Sequence, residues 1–311
     1  MANALTENVD CLVVGAGPAG LTAGLYLGRY RRRFLLADSG GSRASLIPCT
    51  HNYPGFPEGI SGLDLLARLH TQAERYGAVV THGTVTDLTR RGEGFAAKLG
   101  DMTVFARKVL LATGLVDCKP ALPNLREIIY RGEMRLCPIC DGYEVTDKHV
   151  AVLGPVKEAI KKLLFLSGYT SNLTLLPIGD LTLDPKQEHM LQALGISLPL
   201  RLVTDLRVEG DEITAIMADG KQERVEVLYP ALGCNVRSDL LVGLGGEVDE
   251  NGYIVTNLHQ QTSVPGIYAA GDVVNELNQL AVGTAHAAIA ATAIHNELSV
   301  EDRPAELRDK P

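Results

Sequence analysis

Cys137-Pro138-Ile139-Cys140, followed at once by Asp141, is the segment of this 311-residue chain whose residue types and spacing can do chemistry by themselves. Two cysteines separated by two residues can close into a small, reducible disulfide. An adjacent carboxyl can move the proton that thiol–disulfide exchange requires. The same spacing can also hold half of a zinc site. A zinc knuckle needs a second ligand pair, and no other C-x-x-C and no H-x3-5-H pair stands in the sequence. Redox work is the favoured reading, and no metal is expected. Pro138 removes a backbone donor and stiffens the small loop, which tunes its redox poise without showing the direction.

The elements that must position such a loop are legible on either side of it. Residues 10–14 (DCLVV) read as a short buried strand, followed by the turn GAGPAG and a helix through Leu21–Tyr30. A second strand, Phe34–Ala37, runs into Asp38. Strand, glycine turn, helix, strand and acid in this order make a dinucleotide-binding fingerprint, with Gly15, Gly17 and Gly20 in G-x-G-x-x-G register around Ala16, Pro18 and Ala19. The first glycine makes the tight turn and the second lets a pyrophosphate approach the backbone. The third permits close helix packing, while helix N–H groups meet the phosphate charge. Asp38 is placed to accept hydrogen bonds from a ribose. Arg43, after Gly40-Gly41-Ser42, is a candidate phosphate partner, with a surface role as its alternative.

Leu110–Gly114 (LLATG) reads as another strand entering a sharp glycine turn. The extended stretch that follows, with Lys119-Pro120 and Leu122-Pro123, suits a crossing between domains. A second βαβ pattern then begins, with a strand at His149–Leu153, Gly154, a helix from about Lys157 to Ser167 and a strand at Leu173–Leu176. Tyr229–Gly233 reads as the return crossing. A strand at Ile267–Ala270, then Gly271-Asp272, leads to a long apolar helix. The simplest architecture is an α/β fold of two Rossmann-like three-layer domains, the second inserted into the first. Residues 1–117 and 235–311 form one domain, and 118–234 form the insert that carries the cysteine pair.

Composition agrees and excludes other classes. A hydrophobic fraction of 46% and 32 glycines fit a packed α/β protein with many tight turns. The net charge of −8, from 29 basic and 37 acidic residues, argues against a nucleic-acid partner and gives no membrane-surface signal. Arg29, Arg31, Arg32 and Arg33 read as a solvated, dipole-compatible helix C-terminus. The N-terminal MANALTENVD has neither a charged leader nor an apolar core, so a cytoplasmic location is expected. Leu280–Ile294 is too short to span a bilayer. Cys11, Cys49, Cys118 and Cys234 read as ordinary small side chains, and His286 and His295 as structural.

With these pieces in place the sequence resembles the thioredoxin reductase-like flavoproteins, the low-molecular-weight branch of the pyridine nucleotide–disulfide oxidoreductases. The likeness runs from about residue 9 to 298 and rests on GAGPAG, HNYPGFPEGISGLDLL (51–66), ATG (112–114), CPICDG (137–142) and GIYAAGD (266–272). The resemblance implies FAD in the first domain, with its pyrophosphate over Gly15–Gly20 and its ribose at Asp38, where many relatives carry Glu. It sets Asn52, Ala112, Thr113, Gly114, Gly271, Asp272 and the turn Asn278-Gln279-Leu280-Ala281 around the flavin or its ribityl chain. It implies that Cys140 faces the flavin, that Cys137 exchanges with an outside dithiol or disulfide, and that Asp141 is acid and base for the leaving thiolate. His51 is then a candidate for proton transfer or oxygen approach, with a plain hydrogen bond to backbone as its alternative. A homodimer is expected by the same resemblance.

Two departures bear on the electron source. Where NADPH-using relatives carry G-x-G-x-x-A, this chain reads Gly154-Pro155-Val156-Lys157-Glu158-Ala159, which is expected to stand a β-branched side chain over the turn where a pyrophosphate must approach and puts a carboxylate in the first helical turn. Where such relatives carry an arginine-rich segment, it reads Leu176-Pro177-Ile178-Gly179-Asp180, with no Lys or Arg between Lys162 and Lys186. Losing two or three phosphate contacts of about 1.5–3 kcal/mol each weakens NADPH binding by several orders of magnitude. The expected activity is FAD-dependent dithiol–disulfide exchange without NADPH, with a small-molecule dithiol or a thioredoxin-like protein on one side and oxygen or ferredoxin on the other. An NADPH-dependent thioredoxin-disulfide reductase is the alternative, and a flavin redox sensor without turnover is a third.

Overall fold

The computed structural model describes residues 6–199, 201–274 and 277–302. In chain order its elements are β1 (Thr6–Val14), α1 (Pro18–Arg29), β2 (Phe34–Asp38), α2 (Gly62–Glu74), β3 (Val80–His82), β4 (Val85–Arg91), β5 (Gly94–Leu99), β6 (Met102–Leu111) and β7 (Leu115–Asp117). There follow α3 (Leu125–Arg131), α4 (Pro138–Asp141), β8 (Val150–Gly154), α5 (Val156–Leu166), β9 (Leu173–Pro177), α6 (Pro185–Ala193), β10 (Val203–Glu209), β11 (Glu212–Met217), β12 (Gln222–Val225) and β13 (Val227–Pro230). The chain closes with β14 (Cys234–Val236), α7 (Asp239–Val242), β15 (Ile267–Ala269) and α8 (Leu280–Glu301). The described residues fall into two compact units. One lies within Met1–Ser45, Gly62–Val116 and Asn235–Pro311, the other within Leu46–Ser61 and Asp117–Cys234. Both are Rossmann-like, and the second interrupts the first.

In the first unit the strands run in the order β3-β2-β1-β6-β5-β4, with β15 also paired to β6. β1, β2, β3, β6 and β15 are parallel, while β5 and β4 continue as an antiparallel meander. Successive side chains of β1 point to opposite faces. Leu12 and Val14 enter one core with Leu35, Val109 and Ile267, and Cys11 and Val13 enter another with Leu36, Leu110 and the helices α1 and α8. Both faces are covered, which explains the unbroken apolar run of this strand. Ala287, Ala290 and Ala291 of α8 are fully buried and let α8 seat closely among the α1 residues. The larger members of that seam, Leu21, Leu27, Ile294 and Leu298, contribute about 1.5–3 kcal/mol each by burial.

Arg29, Arg31 and Arg33 are exposed as expected, and Arg32 alone of the basic cluster departs from that role. Arg32 is only 11% exposed and clamps the end of α8, with Nη1 on Asp302 at 2.7 Å and Nη2 on Ser299 Oγ at 2.6 Å and on the His295 carbonyl at 3.0 Å. His295 also stacks on Tyr30, which gives this histidine a structural place. Helix α1 begins at Pro18 rather than Leu21, because proline at the first helical position has φ preset and loses no helical hydrogen bond.

The second unit has a parallel sheet in the order β13-β8-β9 and an antiparallel sheet β10-β11-β12. Val150 and Val152 pack with Ala159, Ile160, Leu163 and Leu166 of α5, while Ala151 and Leu153 face Met134, Ile213 and Leu228. The unit therefore has its own two-faced core. Among the described residues no helix is long and apolar enough to cross a membrane.

Candidate active site

In the second unit Cys137 and Cys140 form a disulfide, with their Cα atoms 5.3 Å apart. The pair sits on α4, a single turn with Cys137 as its extended N-cap and Pro138 at the first helical position. Cys137 Sγ accepts the backbone N–H of Cys140 at 3.2 Å, a contact that favours negative charge on this sulfur when the bond opens. Gly142 closes the turn where space is short. A Cβ there would lie 2.7 Å from the Pro138 carbonyl oxygen and 3.0 Å from the Tyr169 ring.

Asp141 is held from two sides. The Tyr229 hydroxyl donates to Oδ1 at 2.7 Å, and Arg135 Nη1 lies 3.3 Å from Oδ2. Burial pushes the carboxyl above its ordinary range, against the opposing pull of the Tyr229 hydrogen bond and the Arg135 charge. Tyr229 is fully buried in the core, and burial together with the Asp141 charge raises its hydroxyl far beyond any working pH, so it stays a donor. Sequence reasoning missed Arg135 and Tyr229. Arg135 lies two residues before Cys137 and was the available signal; Tyr229 arrives from β13 and carries no local one.

The segment Leu46–Ser61 belongs to this unit, and it brings His51 and Asn52 to the cysteine loop. Thr50 and Ile60 form a bridge that closes the segment, with N–H to carbonyl distances of 2.8 and 3.0 Å. His51 Nδ1 lies 3.0 Å from Glu144 Oε1, so its partner is a carboxylate rather than a backbone carbonyl. Asn52 Nδ2 donates to the Ile139 carbonyl at 3.3 Å, and its Oδ1 accepts from the Thr50 hydroxyl at 2.8 Å.

The other sequence candidates lie in the first unit and build a dinucleotide cradle. Gly15 has φ +106°, and a Cβ on it would lie 2.3 Å from the Ala112 carbonyl oxygen. A Cβ on Gly20 would lie 1.7 Å from the Gly15 carbonyl oxygen, so α1 packs on the turn only with glycine there. Gly17 differs from both. A Cβ at Gly17 would meet only Ser42 Oγ, at 3.3 Å, which leaves its face open to a ligand. Asp38 accepts the N–H groups of Ala16 at 2.9 Å and Gly40 at 3.1 Å, which fixes the turn. Arg43 Nη1 meets Asp272 Oδ2 at 3.2 Å, so two of the candidates pair with each other. Thr113 donates its hydroxyl to the Arg237 carbonyl at 2.6 Å, beside Gly114 at φ +65°. Gly271, at φ +82°, lies against Ala19, and a Cβ on Gly283 of α8 would meet the Gly271 Cα at 3.4 Å. Gln279 is the N-cap of α8, and Leu280 and Ala281 form its first turn. Asn278 Oδ1, just before them, and His286 Nδ1, further along α8, are buried and have no hydrogen-bond partner among the described residues. An open glycine face on the turn and unpaired buried polar atoms at α8 are the features a bound polar heterocycle with a pyrophosphate requires.

The corresponding turn of the second unit is built differently. Gly154 serves packing, because a Cβ there would lie 2.6 Å from the Ala231 carbonyl oxygen. Val156 is 3% exposed and belongs to the core with Ala159 and Leu163. Its side chain therefore packs inward instead of standing over the turn as the sequence suggested. The polar groups around the turn are engaged as follows. Pro155 brings no N–H to the helix start, and Glu158 holds Lys161 at 3.0 Å. Lys162 is spent on the carbonyls of Pro230 at 2.6 Å and Leu136 at 3.4 Å. Beyond β9, Asp180 is exposed and accepts both the N–H and the hydroxyl of Thr182, which hold its carboxyl below the ordinary range.

A dinucleotide cradle in one unit and a reducible cysteine pair with its own carboxyl in the other are the equipment of a two-electron disulfide oxidoreductase. The chain belongs to the pyridine nucleotide-disulphide oxidoreductase family, whose pattern matches residues 9–292. It is 33% identical over 298 residues to the thioredoxin reductase of Treponema pallidum, covering 93% of this chain and 97% of that one. It is 29% identical over 296 residues to the thioredoxin reductase of Mycolicibacterium smegmatis, covering 91% and 94%. Its fold superposes on the crystal structure of HlmI with a TM-score of 0.88 at 31% identity, over 96% of each chain. The protein is an oxidoreductase of the thioredoxin reductase-like branch, and the family implies FAD as its flavin.

Proposed function

We propose that the protein exchanges two electrons between FAD, the Cys137/Cys140 couple and an external dithiol or disulfide, without a nicotinamide nucleotide. The observation that carries this reading is the pairing of a closed disulfide, flanked by the raised carboxyl of Asp141, with a second-unit turn that lacks phosphate chemistry. In the oxidising direction a substrate thiolate attacks Cys137 Sγ and the Cys137–Cys140 bond breaks. Cys140 leaves as a thiolate and takes a proton from Asp141. The second substrate thiol attacks the mixed disulfide and releases Cys137, so substrate leaves as a disulfide and the pair remains as a dithiol. Tyr229 and Arg135 hold Asp141 in place through the cycle, and His51, on the Glu144 carboxylate, is the second proton carrier. Gly15–Gly20, Asp38, Arg43, Ala112–Gly114, Gly271, Asp272 and the first turn of α8 would hold FAD, which would supply the two-electron partner of the pair.

The thiol partner is a small-molecule dithiol or a thioredoxin-like protein, and the remaining electron partner is oxygen or a ferredoxin. The acidic balance of the chain disfavours nucleic acid. The FAD domain lies within 1–117 and 235–311, apart from Leu46–Ser61, which belongs with the insert of 118–234, and the protein works as a cytoplasmic homodimer. A second reading, NADPH-dependent reduction of thioredoxin, is favoured by the names of the Treponema and Mycolicibacterium relatives. Anaerobic addition of dithiothreitol to the oxidised flavoprotein tests the first link. The flavin band should bleach in the wild type and persist in Cys140→Ser and Cys137→Ser with flavin still bound. Equal bleaching in all three would remove the cysteine pair from the path.

A further inference from the structure

Cys49 is an exposed free thiol, and its sulfur lies 3.6 Å from Nε2 of His51. The opposite ring nitrogen, Nδ1, is the one held by Glu144 at 3.0 Å. Thiol, imidazole and carboxylate thus form one line within the second unit. The carboxylate selects the tautomer with the proton on Nδ1, which turns the Nε2 lone pair toward the sulfur. Nucleophile, base and orienting acid in hydrogen-bond sequence are the geometry by which a side chain is activated for attack. The line is built in. The Thr50–Ile60 bridge fixes the segment, and Gly59, at φ +74°, is the residue that leaves room for it. A Cβ at Gly59 would lie 2.5 Å from Cys49 Sγ and 2.7 Å from the His51 ring. The other cysteines outside the Cys137–Cys140 bond are less accessible. Cys11 is fully buried with its thiol pushed far up by burial, and Cys118 and Cys234 are only half-exposed.

We propose that Cys49, with His51 as its base and Glu144 as the residue that positions His51, is a third exchange thiol that takes up low-molecular-weight organic disulfides as a covalent S-thiol adduct. The Cys49 S–H bond breaks as Nε2 takes the proton. The sulfur bonds to one sulfur of R–S–S–R, whose own S–S bond breaks. The departing thiolate takes the proton back from Nε2 and leaves as R–SH. Cys49 is oxidised and the small disulfide reduced, with no further reagent. Because Asn52, three residues on, donates to the Ile139 carbonyl between the two redox cysteines, an adduct on Cys49 stands on the same loop system as the Cys137–Cys140 pair.

Oxidised glutathione, added to the flavoprotein with the Cys137–Cys140 bond closed, tests this by intact mass and peptide mapping. One equivalent should settle on Cys49, at least about tenfold faster than on the same cysteine in the urea-unfolded chain. His51→Gln should bring the rate to within about twofold of the unfolded chain, and added imidazole should restore part of it. Glu144→Ala should slow the reaction and Glu144→Asp recover it. A Cys49 that reacts no faster folded than unfolded, or equally fast in a folded His51→Gln variant, overturns the proposal. If His51→Gln does not fold, the folded-to-unfolded ratio of the wild type decides alone.

Discussion

Asp141 keeps a proton more readily than an exposed carboxyl because burial outweighs the Tyr229 hydroxyl and the Arg135 guanidinium that face it. Removing either of those two groups raises it further. Tyr229→Phe should move the alkaline limb of the pH profile for dithiol exchange upward, because Asp141 acts in its protonated form, and should slow exchange severalfold. It should cost about 1–3 kcal/mol of stability, since a buried carboxylate oxygen loses its donor. An unmoved profile would disconnect Tyr229 from Asp141. The same shift has a consequence for folding. The folded value lies above the ordinary 3.8, so the folded chain binds this proton more tightly than the unfolded chain between those two values. The contribution of Asp141 to stability is therefore greatest below 3.8 and declines as pH rises through the window. Urea unfolding across that window should show a flatter pH dependence in Asp141→Asn than in the wild type. At this scale the sequence was partly legible. Cys137, Cys140 and Asp141 announce themselves by adjacency, whereas Tyr229 reaches Asp141 from a strand far along the chain and leaves no local mark.

The turn between β1 and α1 separates packing from binding, because its three glycines are needed for different reasons. Gly20→Ala places a methyl 1.7 Å from the Gly15 carbonyl oxygen and should abolish the folded far-UV spectrum or lower Tm sharply. Gly17→Ala, at φ −71° and with only Ser42 Oγ nearby, should fold and yet retain much less flavin by absorbance. If Gly17→Ala kept its full yellow colour, this turn would not be the pyrophosphate seat. Arg32→Ala should cost about 2 kcal/mol in urea unfolding, because the end of α8 loses its clamp. The β1–α1–β2 unit and the second βαβ were readable from apolar runs punctuated by glycine. The β4–β5 hairpin and the β10–β12 sheet were not read, although Gly92, Gly210 and Gly220 mark their turns at positive φ. Their strands mix buried and exposed positions and carry charges, so the period-two signal is weak. Arg32 was misjudged for a related reason. A run of arginines at a helix end looks solvated until the partner helix, some 260 residues later in sequence, is brought to it.

For the whole molecule, the two nucleotide-type units have diverged in chemistry while keeping one topology. The first has an open glycine face and, among the described residues, unpaired buried polar atoms near the start of α8, and the second has Pro155 and Glu158 at the start of α5 and Asp180 beyond β9. Duplicated architecture is therefore no guide to a duplicated ligand. The sequence misplaced one steric part of this difference, since Val156 turns into the core. The most direct measurement is anaerobic stopped-flow absorbance of the oxidised flavoprotein mixed separately with NADPH and with a dithiol. The account predicts that the dithiol bleaches the flavin band through Cys137 and Cys140, while NADPH leaves it unchanged on the same timescale. Rapid, saturable bleaching by NADPH would contradict it and assign the protein to the nicotinamide-dependent reductases.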